Sequence, residues 1–243
     1  GLPYMFRMCG RDDDQSKVAA KFVKDFVKAK SIFIVDDKTT YSQGLADGVS
    51  KACKELGIEV VDHDHVNQGD KDFSAVLTKA KAANADIFYM SLQGYSPAAL
   101  MTIQAKRVGM TSQIVTQDAV FQPKYMEVAK DAAEGVYLTY GYTDPNTPEY
   151  KAFEERYVPK YGAIAAYATY AYDAATVLLS AIKAAGSTDP AKIKAEIMKM
   201  DFDGVAKRIK FRENGDSGSS YIAYKIENGQ FVPYWSPEKG LLK

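Results

Sequence analysis

His63, Asp64 and His65 stand together in "VVDHDH", and the two imidazoles are the only ones in the 243-residue chain. Alternate residues of a strand share a face, so the rings could offer a metal two nitrogen ligands. Two ligands at the polar edge of a strand rarely make a metal site. They are therefore read as solvated turn residues, and no metal is assigned. With both histidines in one segment, no Ser-His-Asp arrangement can be assembled, and no two carboxylates with separated pKa values stand out. The acidic run "RDDDQ" (11 to 15) would suit a cation, but negative charge in a first helical turn is what the macrodipole favours. Asp12 with Gln15 three residues on also resembles a capping box, a structural role. Neither GxGxxG after a strand nor GxxxxGK[ST] is present, so nucleotide enzymes are disfavoured and no cofactor is expected. The remaining chemistry is recognition. Tyr41, Tyr95 and Asp118 each fall just beyond the expected end of a strand, where adjacent loops meet. An aromatic wall with one carboxylate suits the ammonium of a small molecule, through a charge-assisted hydrogen bond of about 1.5 to 3 kcal/mol and a cation–π contact. The competing reading is that Tyr41 and Tyr95 plug their loops. The corner "SLQGYSP" (91 to 97), with Gln93 and Tyr95, is read as touching a ligand without acting on it. Tyr140 and Tyr142 are weaker candidates, since 17 tyrosines make chance placement common.

The elements that must position these residues follow from hydrophobic period. "SKVAAKFVKDFVKA" has helical spacing, "SIFIVDD" (31 to 37) reads as a buried strand, and "YSQGLADGVSKACKEL" returns to a helical face. The cycle repeats through "IEVVDHD", "ADIFYMS", "SQIVTQD" and "GVYLTYGY". Strands beginning near 31, 58, 86, 112 and 135, separated by helices, define an α/β fold with a doubly wound, mostly parallel sheet. Ligands of such sheets bind beyond the carboxyl ends of the strands. That rule selects the loops at 36 to 41, 91 to 95, 116 to 118 and 139 to 142. After the proline-rich break "TDPNTP" (143 to 148) helices dominate: "PEYKAFEERYVPKYG", "AIAAYATYAYDAATVLLSAIKAAG" and "DPAKIKAEIMKM". No sheet is expected beside them, since "AKRIKF" alone reads as a strand. The middle helix is apolar around most of its circumference, so something should cover it. Asn228-Gly229 between alternating runs signals a closing hairpin.

Bulk composition narrows the partners. At 47% hydrophobic and 26% charged, the chain is ordinary globular material, long enough for two modest domains. Lysine plus arginine and aspartate plus glutamate both total 31, so no net field draws it to nucleic acid or an anionic membrane. Cys9 and Cys53 make neither a disulfide framework nor a zinc knuckle. No apolar run reaches the length of a membrane span, and "GLPYMF" is not a signal peptide.

"VDDKTTYSQGLADG", "GDKDFSAVLTKAKAANADIFYMSLQGYSPAALMTIQAKRVGM" and "RIKFRENGDSGSSYIAYKIENGQFVP", in that order, resemble the branched-chain amino-acid binding proteins of bacterial ABC importers, the type I periplasmic binding proteins. The resemblance runs over essentially the whole chain. It implies two α/β lobes closing as a hinge on an amino acid, no enzymatic activity, a membrane ABC permease as partner, and a periplasmic or extracellular, sometimes lipid-anchored, location. Tyr41 and Tyr95 match tyrosines that pack over the ligand, and Asp118 matches the acid that holds its ammonium. The family's apolar or aromatic contact near the start of the long helix falls on Tyr167. Aspartate stands where leucine-isoleucine-valine binders carry the longer glutamate, which leaves the preferred side chain open to amides, urea or aromatic acids. A ligand-sensing receptor or regulatory domain of the same fold is the alternative role. The resemblance divides the chain into the last strand of an incomplete first lobe (1 to 10), a second lobe (11 to 142), first-lobe helices (143 to 218) and a hairpin returning to the second lobe (219 to 243). A missing amino-terminal segment, or another copy of the chain, is then the expected partner of the uncovered helices.

Overall fold

The computed structural model describes residues 2–218 and 220–242. Gly1, Ser219 and Lys243, which bound the expected opening strand and closing hairpin, lie outside the described residues. The strands are β1 (Ser31–Asp36), β2 (Glu59–His65), β3 (Ile87–Ser91), β4 (Gln113–Thr116), β5 (Tyr137–Gly141), β6 (Asp201–Asp203), β7 (Arg208–Lys210), β8 (Tyr221–Glu227), β9 (Gln230–Ser236) and β10 (Gly240–Leu241). The α-helices are α1 (Asp12–Lys21), α2 (Thr40–Glu55), α3 (Ser74–Ala83), α4 (Tyr95–Arg107), α5 (Pro123–Ala129), α6 (Pro148–Tyr161), α7 (Ala168–Ala185) and α8 (Pro190–Ile197). The chain folds as two compact units, Asp12–Tyr140 with Tyr221–Lys243 and Gly1–Arg11 with Gly141–Ser220.

The first unit carries an eight-stranded sheet in the order β10-β9-β8-β5-β4-β3-β1-β2. Its pairs β1–β2, β1–β3, β3–β4 and β4–β5 are parallel, whereas β8–β9 and β9–β10 are antiparallel. The mostly parallel α/β sheet expected from the strand spacing is the one observed. β3 and β5 are buried along their whole length because crossover helices cover both faces, which is why they read as continuous apolar runs. Asn228 and Gly229 take positive φ of 53° and 67° between β8 and β9, the conformation a tight hairpin demands. α1 continues through Phe22–Val27 as a π-helix, where one uniform helix was expected. That wider turn stacks Phe22 on Phe26 at 5.4 Å and brings Phe22 within 4.9 Å of Tyr137 and 5.7 Å of Trp235.

Two buried groups of this core carry unused polarity. Burial pushes the Cys53 thiol up to about 12, so it behaves as a small apolar side chain. Tyr89 is fully buried in β3, and its hydroxyl has no hydrogen-bond partner among the described residues. Burial also holds that phenol well above its ordinary pKa. Since an orphaned buried hydroxyl costs about 1 to 3 kcal/mol, Tyr89→Phe is expected to raise stability by about 1 kcal/mol. A urea unfolding midpoint that falls instead would show that the hydroxyl has a partner.

The second unit contains α6, α7, α8 and a small sheet. β6 pairs antiparallel with β7, which corrects the expectation that no sheet accompanies these helices. α7 begins at Ala168, five residues after the expected start, because Tyr167 takes a left-handed backbone with φ 65°. Asp173 interrupts its apolar surface and is buried, accepting the Val205 N–H at 2.9 Å and the Ala206 N–H at 2.7 Å. Burial raises its pKa, and the two amide bonds pull it back. Val177, Ala181, Ile197, Ile209 and Phe211 form the unit's core, while Leu178 and Leu179 on α7 stay exposed. Between residues 2 and 10 the backbone pairs through a single bridge, Arg7 with Asp216. Asp216 also draws Arg7 Nε to 3.6 Å and Arg11 Nη1 to 3.3 Å. The Arg7 N–H donates to the Gly215 carbonyl at 2.9 Å. Among the described residues no helix is long and apolar enough to cross a membrane.

Candidate ligand-binding site

Tyr41 and Asp118 arrive from different elements and meet beyond the carboxyl ends of the strands. Tyr41 is the second residue of α2, whose N-cap Thr39 accepts the Ser42 N–H at 3.3 Å. Asp118 opens a short 3-10 turn directly after β4 and Gln117. The Tyr41 hydroxyl lies 2.5 Å from Asp118 Oδ1 and 2.7 Å from Gln117 Oε1. A phenol has one proton to give, and the charged acceptor competes for it more strongly. Gln15, from α1, donates its amide Nε2 to Asp118 Oδ1 at 3.0 Å and to Thr139 Oγ1 and O at 3.0 and 3.1 Å. The Gln117 amide in turn donates to the Leu92 carbonyl at 2.7 Å. Asp118, 8% exposed, is thus oriented by neutral dipoles from a phenol and an amide.

Gln15 corrects the capping-box reading. It sits on the buried face of its helix, one turn before Ala19 and two before Phe22, and reaches inward rather than back to the helix start. A polar residue on an otherwise apolar stripe was the available signal. Gln117 and Asp37 were also missed as individual positions. Asp37, 4% exposed, binds the Thr39 hydroxyl at 2.7 Å through Oδ1 and the Gln93 N–H at 2.6 Å through Oδ2. It therefore fastens the loop after β1 to the corner after β3. At that corner Gly94 takes φ 105°, which a side chain rarely adopts, and Tyr95 starts α4.

The other expected contacts are dispersed. The Gln93 side chain is exposed and lines a cavity of about 290 Å³ with Asp37, Asn67, Asp70 and Ser96, apart from Tyr41, Tyr95 and Asp118. Tyr95 is half-buried. Tyr167 belongs to the second unit, 38% exposed. His63 and His65 are not solvated turn residues. They lie in β2, and His63 Nε2 and His65 Nδ1 converge on Asp36 Oδ2 at 2.7 and 2.8 Å.

A mostly parallel sheet covered by helices is the fold shared with the type I periplasmic binding proteins. The chain belongs to the periplasmic binding protein family, whose sequence pattern matches residues 1–230. It is similar to Leu/Ile/Val-binding protein homolog 1 of Brucella abortus, with 37% identity over 94% of this chain and 62% of that one. The crystal structure of a leucine binding protein LivK from Thermotoga maritima superimposes with a TM-score of 0.90 at 34% identity, covering 98% of this chain and 69% of that one. The branched-chain amino acid transporter substrate binding protein LivJ from Streptococcus pneumoniae, solved with isoleucine, gives 0.84 at 26% identity, over 95% of this chain and 66% of that one. The chain spans 62% of the length of the Brucella relative.

Proposed function

We propose that the chain is part of an extracytoplasmic solute-binding component of an ABC importer, without catalytic activity, that takes an aliphatic amino acid of the branched-chain class. The observation that carries the proposal is the Asp118 carboxylate, at the strand ends and oriented by Tyr41 and Gln15. A carboxylate so held fits the ammonium of an amino acid, and the Tyr41 ring offers it a cation–π face. Tyr95 and Gln93 are proposed as further contacts on the same unit, and Tyr167 as a contact on the other. The leucine and isoleucine named for similar proteins support the substrate class, and a membrane ABC permease is the proposed partner. The test is a thermal-shift screen against the common L-amino acids, urea, short amides and aromatic acids. A ligand at a hundred times its dissociation constant stabilises its host by about 2.7 kcal/mol. A shift confined to leucine, isoleucine and valine is expected. A shift with amides or aromatic acids and none with amino acids would overturn the substrate class.

A further inference from the structure

We propose that Asp36, His63 and His65 form a binding site for a borderline divalent transition-metal ion, Zn²⁺ foremost, separate from the amino-acid site. The strands build it. In the parallel pair β1–β2, Asp36 stands opposite His65 and Ile34 opposite His63, so the last residue of β1 meets two residues of β2. The two-residue spacing puts both imidazoles on one face of β2, with ring centroids 5.1 Å apart. One ligand atom from each of the three residues lies within 4.8 Å of the others. Two imidazoles and one carboxylate are a donor set that Zn²⁺ takes with a position left open.

Burial supplies an independent reason. Asp36 is fully buried. Its Oδ1 accepts the Lys38 N–H at 2.8 Å, and among the described residues its ion-pair partners are the same two rings, both on Oδ2. A buried carboxylate requires compensating charge, and a metal ion would provide it directly. The nearby Lys79 ammonium does not, because it is bound 2.6 Å from Asp62 and 2.9 Å from Asp64. The His63 and His65 side chains are 17% and 36% exposed, so an ion can enter from solvent and keep a water ligand.

The adjustment required is set by the two contacts to Asp36 and by the ring nitrogens, which lie within 4.8 Å of each other. Zinc–nitrogen and zinc–oxygen bonds of about 2.0 to 2.2 Å set ligand atoms about 3.4 Å apart in a tetrahedron. The present contacts of 2.7 and 2.8 Å must therefore open by little more than half an ångström. Zn²⁺ would take each ring through the nitrogen that now faces Asp36, so a proton carried there must shift to the other ring nitrogen or leave to solvent. For His63 that second nitrogen, Nδ1, lies 3.7 Å from Asp47 Oδ1. That separation is longer than a hydrogen bond, so Asp47 would have to close on the ring to fix the tautomer as carboxylates do in metal sites.

The experiment is isothermal titration of the chelator-stripped chain with ZnCl₂, with Co²⁺ as a spectroscopic probe. One Zn²⁺ per chain is expected, with visible Co²⁺ bands of a nitrogen and oxygen site. His63→Gln and His65→Gln should each weaken Zn²⁺ binding at least tenfold while circular dichroism shows the sheet intact, and Asp118→Ala should leave it unchanged. Absence of both the heat and the Co²⁺ bands in the wild-type chain would overturn the proposal. Equal affinity in the wild type and both histidine variants would overturn it as well. Neither result depends on whether an amino acid binds.

Discussion

Replacing Asp118 with alanine is expected to weaken the proposed amino-acid binding about 10- to 100-fold, the range set by losing a charge-assisted hydrogen bond worth about 1.5 to 3 kcal/mol. The fold should survive. When the carboxylate is removed, the Gln15 amide keeps Thr139 as acceptor and the Tyr41 hydroxyl keeps Gln117, so neither is stranded. Asp118→Asn keeps the shape and discards the charge, and should lose most of the same affinity if the ammonium is what Asp118 recognises. Calorimetry on the two variants separates charge from shape. Affinity within twofold of wild type in Asp118→Ala would remove Asp118 from the site.

A second large effect is expected at Gly215, in stability rather than binding. Gly215 holds φ at +84°, and a β-carbon there would fall inside the van der Waals envelope of the Met5 carbonyl oxygen. The contact is with backbone, so no side chain can swing away. The left-handed conformation costs alanine about 1 to 2 kcal/mol, and forced overpacking adds about 1 to 3 kcal/mol. Gly215→Ala should therefore destabilise its unit by about 3 kcal/mol and loosen the adjoining Arg7–Asp216 bridge. Gly186→Ala is the control, since φ there is also positive, at 56°, but among the described residues no atom beyond its chain neighbours lies within 4 Å of the added carbon. Urea unfolding should show a clearly smaller loss for Gly186→Ala. Equal losses would mean that the overlap at Gly215 is relieved at no cost.

The parts of the fold legible in the sequence are those specified by local pattern. β1, β3 and β5 are buried on both faces and so read as uninterrupted apolar runs, and the turn between β8 and β9 is announced by its own two residues. Tyr41 and Asp118 were legible for a topological reason, because the ends of parallel strands converge. Features that depend on distant partners were not. Gln15 finds Asp118 103 residues away and Thr139 124 residues away, and its place on an apolar stripe is the one local sign that it is not a cap. The convergence of His63 and His65 on Asp36 depends on strand register, which spacing along one strand does not reveal. β6 escaped notice because "DFD" is a poor strand former by itself. It is held by ion pairs that Asp201 and Asp203 make with Arg208 and Lys210 on β7.

The margins of the large sheet bear on how the chain behaves when concentrated. An unpaired outer strand is a template on which another molecule can lay down its own backbone, the route to aggregation. Here one margin is β10, only two residues long, and the other is β2, whose sequence "EVVDHDH" is rich in acids. Each of these traits blunts such growth, shortness by offering few free amides and charge by penalising a like copy alongside. Self-association at high concentration should then begin elsewhere, at the apolar side of α7 where Leu178 and Leu179 stand 48% and 66% exposed. The aggregates so formed would be amorphous and sensitive to mild detergent, not fibrous.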